Sequence, residues 1–154
     1  MKKQQTIDYE ELGLSELTER DRELMLAAIG ACDTAYAPYS HFHVGAAIRM
    51  ADGTIATGSN QENIAYPSGL CAERTALFGA SAAHPGMAME SLALVGRTPD
   101  GKLTAASPCG ACRQVMAEQE SKQGKKLRVL CYHSEDKIVI FEGVNSLLPF
   151  VFSM

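Results

Sequence analysis

Apolar residues recur at Leu24, Ala27, Ala28, Ala31 and Ala35, the spacing of one face of a helix. Thr18 stands ahead of them with Glu19 and Asp21 close behind, an N-cap followed by acids in the first turn. The pattern predicts a helix from Thr18 to about Ala35. Tyr36–Ser40 reads as a loop, with Pro38 as the stop. His43–Met50 and Thr54–Ser59 read as strands joined by the turn signal Ala51-Asp52-Gly53-Thr54, which makes a hairpin. A loop from Asn60 to Leu70 precedes a second helix from Cys71 to about Ala83, broken by Pro85-Gly86. Ser91–Gly96 is a short apolar run of the buried-strand type. Thr98–Ser107 reads as a loop. Pro108 leads into a third helix from Cys109 to about Gln123, stopped by Gly124. Leu127–Tyr132 and Lys137–Phe141 read as strands, and Val144–Phe150 as a short final helix or turn. Helices alternating with strands imply an α/β protein whose sheet is covered on both faces. Residues 1–14 are polar and weakly patterned, an N-terminal extension on a single domain spanning 1–154.

The length of 154 residues suits one domain. Apolar residues at 46% and charged residues at 21% are ordinary for a water-soluble globular chain. There is no run of roughly 18 apolar residues, so no membrane-spanning helix is expected. The opening Met1-Lys2-Lys3-Gln4-Gln5 lacks the apolar stretch of a secretory signal, which leads to an expectation of a cytoplasmic protein. Net charge is −4, and basic residues cluster only at Lys125-Lys126-Leu127-Arg128. A nucleic-acid binder shows a basic stripe, so neither nucleic acid nor membrane is expected as partner, and a small substrate is. Gly96, Gly101 and Lys102 mimic a phosphate loop, but Leu103 stands where Ser or Thr is needed and Pro99 interrupts. His41, His43, His84 and His133 show no ligand spacing.

The chain has 5 cysteines. Three share a physical setting: Cys71 opens the second predicted helix, and Cys109 and Cys112 lie in the first turn of the third. A helix N-terminus has free N–H groups and a partial positive charge, which favours the thiolate that binds metals. The Cys109–Cys112 spacing puts both sulfurs on one face of that turn. Two helices meeting end-on would present three thiolates to one zinc, with a fourth position open, as in catalytic rather than structural sites. Glu73, two residues after Cys71, would then be placed to move protons. Other readings remain open at this point. Cys109 and Cys112 could form a redox pair, or Cys131 or His133 could close a structural zinc site. Cys32 and Cys131 are most simply packed thiols.

Cys71-x-Glu73 followed by Pro108-Cys109-x-x-Cys112 resembles the signature of the zinc-dependent nucleobase deaminases. Four blocks in order extend the likeness: Tyr36–Ala47, Asn60–Asn63, Cys71–Ala76 and Pro108–Gln114. The chain resembles the small homotetrameric cytidine deaminases that act on free nucleosides. That resemblance implies a three-layer α/β/α fold with a central mixed five-stranded sheet. It implies one zinc per subunit held by Cys71, Cys109 and Cys112, with Glu73 as the proton carrier. It gives Asn60 and Glu62 to the ribose hydroxyls, Phe42 to the pyrimidine ring and the backbone of Ala72 to the base. Arg74 would donate to the thiolate sulfurs and offset their excess charge. Tyr66 and Phe152 would reach the site of a neighbouring subunit. The implied activity is hydrolytic deamination of cytidine and deoxycytidine, in pyrimidine salvage. The chain departs from the family pattern at Pro67 and at Leu147–Phe152, where Phe150 and Phe152 flank Val151.

Overall fold

The computed structural model describes residues 1–154. Its strands are β1 (Glu10–Gly13), β2 (His43–Met50), β3 (Ile55–Ser59), β4 (Met89–Arg97), β5 (Leu103–Thr104), β6 (Arg128–Ser134) and β7 (Lys137–Phe141). Its helices are α1 (Glu19–Ala31), α2 (Ala72–Ala83) and α3 (Gly110–Gln123). All strands join one mixed sheet in the order β1-β7-β6-β4-β2-β3, with β5 added beside β4. Only β4 and β6 run parallel; α3 is the crossover between them, as a parallel pair requires.

Alternation along the central strands divides the core. On β4, Leu92 and Leu94 face α2 and α3, while Ala93 and Val95 face α1. On β6, Val129 and Cys131 take the first side, and Leu130 and Tyr132 the second. On β2, Ala46 and Ile48 oppose Ala47. These strands are buried on both faces, which explains why they read as unbroken apolar runs. The result is the expected three-layer α/β/α arrangement.

The sheet has seven strands rather than five. One extra strand, β1, comes from the segment read as a polar extension. It pairs with β7, and Leu12 packs against the α1-side core. An edge strand exposed on one side carries too few apolar positions to show a period. The other, β5, is two residues long within an expected loop.

Helix α1 stops at Ala31, short of the expected Ala35, and a 3₁₀ turn follows over Cys32–Thr34. The next backbone groups are used elsewhere. Tyr36 N–H donates to the Asn60 carbonyl at 3.0 Å, and the Tyr36 carbonyl accepts from Glu62 N–H at 2.8 Å. This pairing draws the 36–44 loop onto the 60–62 segment. The Thr18 hydroxyl caps α1 by accepting from Asp21 N–H, and Gly124 ends α3 in the left-handed region at φ 63°, both as expected. No helix is long and apolar enough to cross a membrane.

Candidate metal and active site

Cys71 and Cys109 are the N-cap residues of α2 and α3, each with extended backbone and no side-chain cap hydrogen bond. Their sulfurs are therefore free to turn away from the helix ends and toward each other. Cys71 Sγ and Cys109 Sγ are 4.0 Å apart, and Cys109 Sγ and Cys112 Sγ 3.5 Å. All three sulfurs lie within 4.8 Å of one another. With metal–sulfur bonds near 2.3 Å, the edge of a tetrahedral zinc site is about 3.8 Å, so the observed spacing fits one zinc. Neither Cys131 nor His133 joins this group. Cys131 is buried among Leu94, Met116 and Val129 on β6, and His133 is exposed near that strand's end. The cluster thus offers three protein ligands, with neither of the proposed fourth ligands beside them.

The Cys71 thiol is pulled down to about 5, first by the Cys112 S–H donating to it and then by Arg74 and Cys109 donating as well, against the opposing effect of burial. Cys112 is pushed well up because it gives that hydrogen bond and is buried. Arg74 Nη2 donates to Cys71 Sγ at 3.6 Å, and its buried Nε has no partner. Glu73, 4% exposed on the first turn of α2, has its carboxyl raised to about 7, mainly by burial. A carboxyl poised there can both take and give a proton near neutral pH.

These groups floor a cleft of about 720 Å³. Phe42, Asn60, Glu62, Tyr66, Cys71, Ala72, Glu73, Arg74 and Cys109 all line it, and Cys112 is buried beneath. Phe42 stands over β4, where Gly96 makes room: a Cβ on Gly96 would come within 2.6 Å of Phe42 Cζ. The Asn60 side chain bridges the backbone leading into β2. Its Nδ2 donates to the Phe42 carbonyl at 2.9 Å, and its Oδ1 accepts from Val44 N–H at 2.8 Å. One Glu62 oxygen accepts from Tyr39 N–H at 2.9 Å and Ser40 N–H at 3.3 Å, and the other accepts the Ser40 hydroxyl. Asn60 and Glu62 each retain hydrogen-bonding capacity for a ligand.

Tyr66 is 73% exposed and packs at a tilt of 57° against Tyr39, ring centroids 5.7 Å apart. Phe152 is absent from this chain's cleft. Its ring is 75% exposed, and its carbonyl accepts from Gln114 Nε2 at 3.0 Å. Arg113 also escaped the sequence reading. Its Nε donates to the Pro108 carbonyl at 2.7 Å and its Nη1 to the Leu147 carbonyl at 2.8 Å. It thereby ties the loop before Cys109 to the C-terminal segment. A cation directly after Cys112 was the available signal, but a sequence does not say which carbonyls such a side chain reaches.

A family model described as "Cytidine and deoxycytidylate deaminase zinc-binding region" matches residues 18–126, a span that contains the three cysteines and Glu73. A cytidine deaminase of Halalkalibacterium halodurans is 46% identical over 99 residues, covering 64% of this chain and 71% of that relative. One of Sporosarcina psychrophila is 52% identical over 89 residues, covering 57% of this chain and 61% of the relative. The crystal structure of cytidine deaminase from Burkholderia pseudomallei superposes with a TM-score of 0.73 at 40% identity, covering 88% of this chain and all of that one.

Proposed function

The chain belongs to the cytidine and deoxycytidylate deaminase family, and from that premise we propose that it hydrolyses the free nucleosides cytidine and deoxycytidine to uridine and deoxyuridine, releasing ammonia. The single observation that carries this reading is the sulfur triad beside a buried carboxyl in a cleft of about 720 Å³, roomy enough for a nucleoside. Cys71, Cys109 and Cys112 would hold one zinc per chain. Bound there, the ion supplies the Lewis acidity that makes water a nucleophile near neutral pH.

Glu73 takes the proton of the water that adds to C4 of the pyrimidine. It passes that proton to N3, then takes the proton of the new C4 hydroxyl and hands it to the amino group, so that the C4–N bond breaks, ammonia leaves and C4 is left as a carbonyl. Phe42 packs on the ring, the Ala72 backbone contacts the base, and Asn60 and Glu62 hold the ribose hydroxyls. Arg74 donates to the Cys71 sulfur and offsets the negative charge of the thiolates.

The lining favours a nucleoside over a nucleotide. No lysine lines the cleft, and the only arginine there, Arg74, is directed at Cys71 Sγ. The ionised Glu62 lines the cleft, and its charge would repel a phosphate. The assembly we propose is a homotetramer in which Tyr66 and Phe152 complete neighbouring sites; their exposure, with that of Ile64 and Phe150, supports such burial between copies. The place we assign the reaction is cytoplasmic pyrimidine salvage.

The test is the fall in ultraviolet absorbance when purified protein meets cytidine, with metal content measured on the same sample. Glu73→Gln keeps about one zinc per chain and loses turnover. Near-parental activity in that variant refutes the role of Glu73. A parent without zinc, or without cytidine turnover, refutes the function. Light scattering at four chain masses checks the assembly.

A further inference from the structure

The geometry points to Ser40 as a positioning residue that locks the sugar-binding carboxylate and the base-packing ring into one unit. Its hydroxyl donates to Glu62 and accepts from Phe42 N–H at 3.1 Å. The inference rests on the reading above, in which Glu62 and Phe42 contact the substrate.

The two bonds complement each other. A hydroxyl has one proton to give and lone pairs to receive, and Ser40 uses both capacities within the loop. Glu62 takes three donors from only two residues: Tyr39 N–H, Ser40 N–H and the Ser40 hydroxyl. Ser40 therefore grips the carboxylate by backbone and side chain together, and its hydroxyl is the main cause holding the Glu62 carboxyl below the ordinary carboxylate range. On the other side, Phe42 N–H finds its acceptor in Ser40 Oγ, and the Phe42 carbonyl accepts from Asn60. The residue between Ser40 and Phe42 is His41, with φ 56°. A non-glycine residue there is strained. The left-handed step folds the chain so that the Ser40 hydroxyl meets an amide two residues on. His41 N–H closes the same turn by donating to the Ala37 carbonyl at 3.0 Å. Strain is retained where neighbouring contacts over-determine a conformation, and this turn is fixed by Glu62 at one end and by Asn60 at the other.

Ser40 is exposed, so Ala at this position leaves the core intact. Removing the hydroxyl frees Glu62 to swing and Phe42 to tilt, and both effects fall on binding. Uniform loss of binding raises KM and spares kcat. Ser40→Ala is expected to raise KM for cytidine about tenfold, the worth of one hydrogen bond to a charged group, with kcat and melting temperature near parental. Ser40→Thr restores the hydroxyl and returns KM toward the parent. On a Glu62→Gln background, Ser40→Ala adds a smaller factor than in the parent, because the part that acts through the carboxylate is already lost and only the part that acts through Phe42 remains. Exchange of the Phe42 amide, followed by NMR without substrate, accelerates about tenfold or more in Ser40→Ala and not in Ser40→Thr.

An unchanged KM in Ser40→Ala, or an effect that multiplies undiminished onto Glu62→Gln, overturns the proposal. So does an unchanged Phe42 amide. Absence of cytidine turnover by the parent overturns the functional reading instead, and the amide exchange then decides the Ser40 clamp by itself.

Discussion

Replacing Gly58 with Ala tests whether packing behind the site sets its geometry. Gly58 lies on β3 against the first turns of α2. A Cβ there would fall 2.4 Å from Ala76 N, 2.8 Å from the Ala72 carbonyl oxygen and 2.8 Å from Ala76 Cα. All three are helix backbone, so no side chain can rotate away. Restoring ordinary contact needs α2 to retreat by about 1 Å, and such overpacking costs about 1–3 kcal/mol. Better strand propensity of Ala over Gly returns only about 0.5–1 kcal/mol. The retreating turn carries Cys71 at its cap and Glu73 at its second residue. Metal–ligand distances tolerate about 0.2 Å, and a 1 Å misplacement of reacting groups costs about 100-fold in rate. Gly45→Ala is the matched control. Its Cβ would fall 1.9 Å from the Ala28 carbonyl oxygen and 2.8 Å from Cys32 N, which displaces α1 on the far face of the sheet. Urea denaturation should show both variants destabilised. Chelator competition and cytidine turnover, measured where both remain folded, should show zinc affinity and kcat/KM falling by at least about tenfold more in Gly58→Ala than in Gly45→Ala. Equal zinc loss in the two, or parental zinc affinity and turnover in Gly58→Ala, refutes the coupling between this contact and the site.

Gly96→Ala pushes on Phe42 Cζ and Thr104 Cγ2; steady-state kinetics should show KM for cytidine raised about tenfold by a misplaced ring, with zinc content unchanged. Thr18→Ala removes the α1 cap and should lower stability by about 1 kcal/mol in urea denaturation, with kcat and KM at parental values because α1 carries no residue of the cleft. Arg74→Gln removes the cationic donor to Cys71 and should lower kcat/KM or zinc affinity by about 10- to 100-fold, measured by turnover and chelator competition.

How legible each part was in the sequence depended on how local its physics is. Strands β2, β3, β4, β6 and β7 and the three helices showed through because apolar runs, helix caps and Gly or Pro breaks are all local signals. The metal triad showed through because two of its sulfurs are three residues apart and the third carries its own neighbour, Glu73. The edge strand β1 did not, because its pairing is decided by β7, some 125 residues along the chain, and its own side chains are mostly solvated. The early end of α1 did not, because the residues that compete for Tyr36 are Asn60 and Glu62. Ser40 and Arg113 were equally hidden. Each acts through hydrogen bonds whose partners are distant in sequence or lie in backbone that only the fold brings near.

The same distinction explains why the site is built as it is. Three thiolates and a divalent ion leave one negative charge, which would weaken the ion's pull on water. Two helix N-termini, each equivalent to roughly half a positive charge, end at Cys71 and Cys109, and Arg74 adds a full one against Cys71. The compensation comes from backbone and from one half-buried guanidinium, so it would cost little reorganisation when a proton moves at Glu73. Glu73 is itself buried beside these cations, and its carboxyl is held near neutrality mainly by burial. The sugar end works by the opposite means. Glu62 is held by Tyr39 and Ser40 amides and a hydroxyl, which favour its ionised form. One cleft therefore holds two carboxylates whose surroundings drive them apart, and that separation supports the proposed division of proton transfer to Glu73 and recognition to Glu62.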